Sequence, residues 1–397
     1  MKICFVSHSG DIGGAELSLL YLLKTLNKYP STKALVVLPS KGGLTTKLDE
    51  AKISYIIQPY KWWTVRRGEK INSVKTTFRH HLDDALKLGA NINKFKPDLI
   101  VTNTSVLCVG ALVANSLNIP HIWYVRELGE KDHGFIFEYG LAFTSKFINA
   151  FSSKVIFNSR ATEKEFDRYV SKDKSIVIYN SIDTDNMLPK EHSKFDFNFS
   201  KSFKLLIAGT ISKKKGQLDA IRATTLLLAE KMNIELLILG RCTDKKLTDK
   251  INSLINTGDR KTYIQMKDFV DNPYPLFRKC NAVLVCSKSE AFGRTILEGM
   301  LLKKPVIATN SGGVPEIIKN GENGLLYRPG NYRELANKIK LLINNPKLAK
   351  KISANGFHIA KTEFSNKNYS YKLKRIFESD DLVVPKTATS WIKKLRV

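Results

Sequence analysis

A chain of 397 residues is too long for one ordinary domain, and its 43% hydrophobic content is ordinary for a globular protein with a sizeable core. The formal charge of +27, concentrated in the second half, favours a polyanionic partner, whether nucleic acid, an anionic membrane surface or a phosphorylated substrate, and does not choose among them. No run reaches the roughly 18 to 20 apolar residues of a membrane span, and five cysteines without paired-ligand spacing indicate no metal site.

The N-terminus MKICFVSHSG lacks the long apolar run and small-residue cleavage site of a signal peptide. It reads as a first strand over 3–7, and a cytoplasmic protein is expected, peripheral to the cytoplasmic face of a membrane at most. Apolar runs of strand length follow at 34–38, 54–57, 99–102, 121–125, 154–157 and 175–178. Amphipathic stretches at 15–26, 74–95 and 106–117 predict helices between them. Continuous apolar strands separated by helices argue for parallel sheets covered on both faces. After a polar, turn-rich segment the alternation restarts at 204–208, 235–239, 262–265, 282–286 and 306–308. The expected fold is therefore α/β, with two doubly wound domains at 1–185 and 202–365 joined by a linker at 186–201. Residues 332–377 read as helical, interrupted near Asn345–Pro346 and at 363–365. The stretch 366–397 is expected to form a C-terminal helix and basic tail packing back on the N-terminal domain. Ligands of such folds bind at the carboxyl ends of strands, so a cleft between the two domains is the expected active site.

The first strand ends in HSGDIGGAE, with Gly10, Gly13 and Gly14 ahead of a helix. Glycines there let backbone N–H groups approach a phosphate, although the spacing is neither a dinucleotide-binding GxGxxG nor a P-loop. The second domain opens alike: its first strand ends at Gly209 and Thr210, and Lys213, Lys214, Lys215 and Gly216 lead into a helix. Cations near a helix N-terminus oppose the helix dipole, and an anionic ligand would offset that repulsion. A solvated basic loop explains Lys213 and Lys214 equally well, but Lys215, beside Gly216, less so. After the strand at 282–286, EAFGRTILE places Glu290 in a loop, Gly293 at a helix start and Glu298 about two turns inside. The helix end suits phosphate, while carboxylates accept hydrogen bonds from sugar hydroxyls. TNSGGVPE adds Gly312, Gly313 and Glu316 at a third strand end.

These segments, GGAE, VIYNSID, GTISKKKG, EAFGRTILEGM, SGGVPEII and GENGLLY, run the length of the chain, which resembles a family 4 glycosyltransferase of the GT-B type. The resemblance implies two Rossmann-like domains, acceptor side first and donor side second. It also implies retaining transfer of a sugar from a nucleoside-diphosphate sugar to a glycan or lipid-linked acceptor, in surface polysaccharide or glycolipid synthesis, with no metal or other cofactor. Carried over residue by residue, Glu290 contacts hydroxyls of the donor sugar, Glu298 the ribose hydroxyls, and Lys215 grips the diphosphate. Gly13, Gly14, Gly209 and the backbone of Phe292, Gly293, Arg294 and Thr295 complete the donor cradle. Two positions depart from the family pattern. Thr210 stands where many members have Arg, so Lys213, Lys214 or Arg294 is expected to compensate. Arg126 stands where many have a His facing the sugar, and Arg126, or else Glu127, is expected in that role, since His121 should lie inside its strand.

Other motifs read more simply. Asp183, Thr184 and Asp185 imitate a metal-binding DXD but sit at a domain boundary, where such residues start turns or cap helices. His80, His81, Asp83 and Asp84 read as the polar face of a helix rather than a metal cluster. KWWTVRRGEK, from Lys61, reads either as one Trp packed inward beside a solvated basic loop, or as an acceptor or interfacial loop at an anionic membrane. The alternative functions are a GT-B-type sugar-nucleotide epimerase, opposed by the intact EAFGRTILE and GGAE, and an inactive nucleotide-sugar or polyanion binder. Nucleic-acid binding has charge alone in its favour, without an RNP-like strand, zinc finger or helix-turn-helix.

Overall fold

The computed structural model describes residues 1–66, 69, 74–183, 187, 202–242 and 244–386. The chain divides into two compact units, Met1–Ser181 with Asn366–Val397, and Ile182–Ser365. Of the linker expected at 186–201, only Met187 is among the described residues.

The first unit is built on seven strands in the order Ser54–Ile57, Lys33–Leu38, Lys2–Val6, Leu99–Thr102, His121–Val125, Lys154–Phe157 and Ser175–Val177. All neighbours are parallel. Side chains alternate between faces along a strand, and here both faces are buried. Cys4, Val6, Ile100, Trp123 and Val155 join one apolar cluster, while Ile3, Phe5, Val101, Ile122 and Ile156 join another. That is why these strands read as continuous apolar runs. Helices Val74–Phe95, Val109–Ser116 and Gly140–Phe151 supply the first cluster. The second is covered by Gly14–Leu26 and by the last helix, Asn366–Phe377, whose Tyr369, Leu373 and Phe377 fall on one face.

The second unit repeats the plan with six parallel strands in the order Ile264–Lys267, Ile234–Leu239, Phe203–Ala208, Ala282–Val285, Val306–Thr309 and Leu325–Tyr327. Its core packs the helices Gln217–Ala229, Lys245–Ile255 and Tyr332–Asn344. The α/β class and the doubly wound sheets are those expected.

The expected strands fall within one residue of those observed, except 262–265, which begins at Ile264 because Arg260–Tyr263 forms a helical turn. Helices Gly43–Glu50, Gly140–Phe151, Arg160–Phe166, Lys245–Ile255 and Tyr274–Lys279 were not anticipated. Neither was an antiparallel pair of three-residue strands, Thr64–Arg66 with Phe135–Phe137, each too short to show a period. It places part of KWWTVRRGEK in a ribbon rather than a loop. Trp63 is fully buried and Trp62 is 42% exposed, so one of the two indoles does pack inward. Arg67, Gly68 and Lys70 lie outside the described residues.

Candidate active site

In the second unit the strand order reverses between Phe203–Ala208 and Ala282–Val285. Loops leaving the carboxyl ends of two such strands diverge to opposite faces of the sheet and leave a crevice. Lys215 follows the first of these strands and Glu290 the second. Lys215 Nζ lies 3.1 and 2.8 Å from the two carboxylate oxygens of Glu290, with the side chains 26% and 18% exposed. Residues 75 positions apart are thus joined by a two-point, charge-assisted contact.

Main-chain bonds lock the surrounding loops together. Lys288 N donates to Lys214 O at 2.8 Å and Gly313 N to Glu290 O at 2.8 Å, and Thr309 Oγ1 donates to Ser287 O at 2.6 Å. Two glycines are needed for this approach. Gly216, at φ +70°, would carry a Cβ 2.0 Å from Cys286 O, and Gly312, at φ +57°, one 2.2 Å from Glu290 O. Three strand ends therefore do converge, and they do so backbone to backbone.

Gly293, left-handed at φ +99°, starts helix Arg294–Leu301 without a side-chain cap, the arrangement in which a helix N-terminus receives an anion. Glu298 sits in the second turn, where Arg294 Nε donates to Oε1 at 2.9 Å. Arg294, one of the cations expected to compensate for Thr210, is thereby engaged with Glu298. The Phe292 side chain is 3% exposed and packs against Phe364, leaving its backbone to the loop. Gly209 and Thr210 are exposed, as is Lys213, whereas Lys214 is half-buried. Gln217, buried at the head of its helix, donates from Nε2 to Thr210 O at 3.1 Å and accepts from Ser212 N at 3.4 Å. This organising side chain escaped the sequence reading because nothing in a Gly-Gln pair marks it.

In the first unit, Gly13 and Gly14 open helix Gly14–Leu26, again without a side-chain cap. A Cβ at Gly14 would meet nothing within 4 Å, while one at Gly13 would lie 2.7 Å from Glu16 Oε2. Gly10 has a different reason to be glycine: its Cβ would fall 2.1 Å from Ser40 O in the next loop.

Arg126 is where the structure departs most from expectation. It is 4% exposed, and three of its guanidinium N–H groups are engaged within its own unit. Nε donates to Asn103 Oδ1 at 2.9 Å, Nη1 to Asn180 Oδ1 at 2.5 Å and Nη2 to Tyr369 Oη at 3.2 Å, and the group lies 3.6 Å over the Tyr124 ring. It ties the last helix to the sheet. Glu127 is likewise turned inward, its Oε2 accepting from Ser105 N at 3.0 Å and Ser105 Oγ at 2.9 Å.

His121 lies inside its strand as expected. Burial pushes its pKa down to about 3, so the ring is neutral. Nδ1, 3.1 Å from Phe151 O, must carry the proton, and Nε2 accepts from Thr102 Oγ1 at 2.8 Å. His81 corrects the reading of a polar helix face. His80 and Asp83 are exposed, but His81 is fully buried near Tyr139, and burial pushes it down to about 4. Asp84 accepts from Lys61 N at 3.1 Å. Asp183 is buried, while Thr184 and Asp185 lie outside the described residues.

Comparison with known proteins bears on both units. The family model described as Glycosyltransferase Family 4 matches residues 12–186, and that described as Glycosyl transferases group 1 matches residues 189–358. The uncharacterized glycosyltransferase MJ1178 of Methanocaldococcus jannaschii is 32% identical over 308 residues, covering 75% of this chain and 80% of that protein. The capsular polysaccharide biosynthesis glycosyltransferase CapM of Staphylococcus aureus is 26% identical over 47% of each chain. Among solved structures, Anabaena Alr3699/HepE in complex with UDP and glucose matches with a TM-score of 0.81 at 25% identity, over 96% of this chain and all of that one. Sucrose-phosphate synthase from Thermosynechococcus elongatus shares the fold, with a TM-score of 0.74 at 18% identity over 95% and 98% of the two chains.

Proposed function

The chain belongs to the family 4 glycosyltransferases, with the GT-B fold, and from that premise we propose that it moves a sugar, with retention of configuration, from a nucleoside-diphosphate sugar to a glycan or lipid-linked acceptor in surface polysaccharide or glycolipid synthesis. The observation that carries this reading is the contact between Lys215 and Glu290 at the strand-order reversal of the second unit. One donor molecule can use both charges: its sugar hydroxyls donate to Glu290 while its diphosphate approaches Lys215 and the uncapped helix start at Gly293. Glu298, held by Arg294, takes the ribose hydroxyls. The complexes of HepE with UDP and with UDP-glucose make a uridine nucleotide the first donor to test.

In this mechanism the anomeric C–O bond to the β-phosphate breaks through an oxocarbenium-like state. The acceptor hydroxyl attacks the same face and gives its proton to the departing phosphate oxygen. No protein nucleophile is required, and the donor is the only co-substrate invoked. What the chain supplies is electrostatic: Lys215 and the Gly293 helix end stabilise charge developing on the phosphate, and Glu290 fixes the ring. No helix among the described residues is long and apolar enough to cross a membrane. The charge of +27 and the exposed Trp62 support contact with an anionic membrane surface from one side.

A thermal-shift panel of nucleotide sugars tests the donor, because a ligand that binds the native state raises its melting temperature. With the donor in hand, Lys215→Ala and Glu290→Gln are expected to lower kcat by on the order of 10²–10³ while circular dichroism stays unchanged. Transfer at the wild-type rate in either variant refutes the assignment.

A further inference from the structure

The donor reading leaves one buried cation of the second unit unused. Lys304 is 1% exposed, and it stands just past helix Arg294–Leu301, whose other end carries Gly293. The helix closes with Lys303 in the left-handed conformation, at φ +54°. Lys303 N donates to Met300 O at 3.0 Å and Lys304 N to Gly299 O at 2.9 Å, a double return that fixes the direction in which the chain leaves a helix. From that turn the Lys304 side chain crosses to helix Tyr274–Lys279. Its Nζ donates to Arg278 O at 2.7 Å and to Cys280 O at 2.8 Å, at a helix end where carbonyls have no helical partner. Burial lowers the pKa of Lys304 to about 8, against an opposing effect of Cys280, so the amine is charged at neutral pH.

What these bonds add to packing is direction. Helix Arg294–Leu301 meets the sheet at Gly299, where a Cβ would lie 3.0 Å from Val306 Cγ2 and 3.2 Å from Val283 Cβ. A glycine lets the helix approach the strands but offers no side chain to catch between theirs. Apolar contact therefore sets the separation at this point and opposes sliding along the helix axis only weakly. Two polar ties act on the helix end: Ser353, from helix Pro346–Thr362, donates to Lys303 O, and Lys304 reaches Cys280. Of the two, Lys304 is the one bonded to the segment that enters the sheet. Cys280 and Asn281 lead into strand Ala282–Val285, and Asn281 exchanges two bonds of 2.7 Å with Lys204 at the start of the neighbouring strand. Those two strands run on to Glu290 and Lys215. We infer that Lys304 is a positioning residue for the donor site: its ammonium fixes the axial register of helix Arg294–Leu301 against the central strands, and so the height at which the Gly293 end meets the Lys215–Glu290 pair. A misplacement of about 1 Å, produced far from the chemistry, can cost on the order of 10²-fold in rate.

The full chain is compared with Lys304→Met, which keeps the side-chain length without a donor, Lys304→Arg, which keeps donors, and Cys280→Ala, which loosens packing at the same point and leaves both carbonyls in place. UDP binding is measured by calorimetry, and backbone exchange by hydrogen–deuterium mass spectrometry. Lys304→Met is expected to bind UDP at least tenfold more weakly and to exchange at least tenfold faster over residues 287–301. Lys304→Arg should recover part of both, and Cys280→Ala should match the wild type in both. A Lys304→Met protein that binds UDP and exchanges like the wild type overturns the inference. So does a Cys280→Ala protein with the same losses, which makes them a general consequence of a weakened unit. If Lys304→Met does not fold, Lys304→Gln, with one donor group, takes its place under the same criteria. The binding arm rests on the transferase reading above: a wild type that binds no UDP strikes the uridine donor of that reading, while exchange over 287–301 still decides the role of Lys304.

Discussion

Gly14 and Gly312 are both glycines in loops that follow a strand, yet they answer to different constraints. Gly312 is left-handed at φ +57°, and a Cβ there would strike Glu290 O at 2.2 Å. Gly312→Ala is expected to cost about 1–3 kcal/mol in urea unfolding and to weaken donor binding by displacing the Glu290 loop. A Cβ at Gly14 would meet nothing within 4 Å, so Gly14→Ala should melt with the wild type. If a phosphate approaches that backbone, its KM for the donor should nevertheless rise several-fold; an unchanged KM would remove Gly14 from the site. The glycines were legible in the sequence as loop markers. Which of them serve packing and which leave room for a ligand was not, because the atoms that decide it belong to other loops.

At the level of elements, the last helix is the informative case. Its bounds, and the breaks at Asn345–Pro346 and 363–365 that isolate it, could be read from capping and proline signals, and the structure ends its neighbours at Asn344 and Thr362. Its role in the first unit rests on contacts that no local pattern carries: Leu373 and Phe377 in the core, Phe5 and Phe377 rings 6.1 Å apart, and Tyr369 bonded to Arg126. Leu373→Ala, at a fully buried position, is expected to destabilise the chain by about 2–5 kcal/mol. Tyr369→Phe, which removes one partner of a buried cation, should cost about 1.5–3 kcal/mol. Chemical denaturation of the two variants measures both, and a neutral Tyr369→Phe would mean that the other contacts hold Arg126 without it. The same network gives Arg126, placed correctly after its strand by sequence reading, partners that no local pattern announces. Two of the three side chains it donates to come from positions 54 and 243 residues away.

For the molecule as a whole, pH and salt provide the broad tests. His81 and His121 titrate near 6.5 when unfolded but only near 4 and 3 when folded, in both cases because burial disfavours the charged ring. Their contribution to stability is complete above pH 6.5 and is lost as the pH falls toward those folded values, at roughly 1.4 kcal/mol per pH unit for each. Urea midpoints should therefore drop between pH 7 and 5, and His81→Leu should flatten the drop. His8 acts in the opposite sense. Burial alone would lower its pKa, but Glu16 and Glu127 outweigh burial and Arg126 and raise it, so its contribution is present below 6.5 and fades as pH rises through the folded value. Binding to phosphatidylglycerol vesicles, if it follows from the charge of +27, should vanish by about 0.5 M salt, where screening is short-ranged. Sequence by itself determined the two α/β units, nearly every sheet strand and the loops that meet around Lys215 and Glu290, because hydrophobic period, glycine and charge are local signals. Only the tertiary structure decided that Lys215 meets Glu290 and that Arg126 ties the last helix to the sheet. Each of these depends on side chains brought to one sheet edge by strands distant in sequence, and an order of strands in space is not written in the order of residues along the chain.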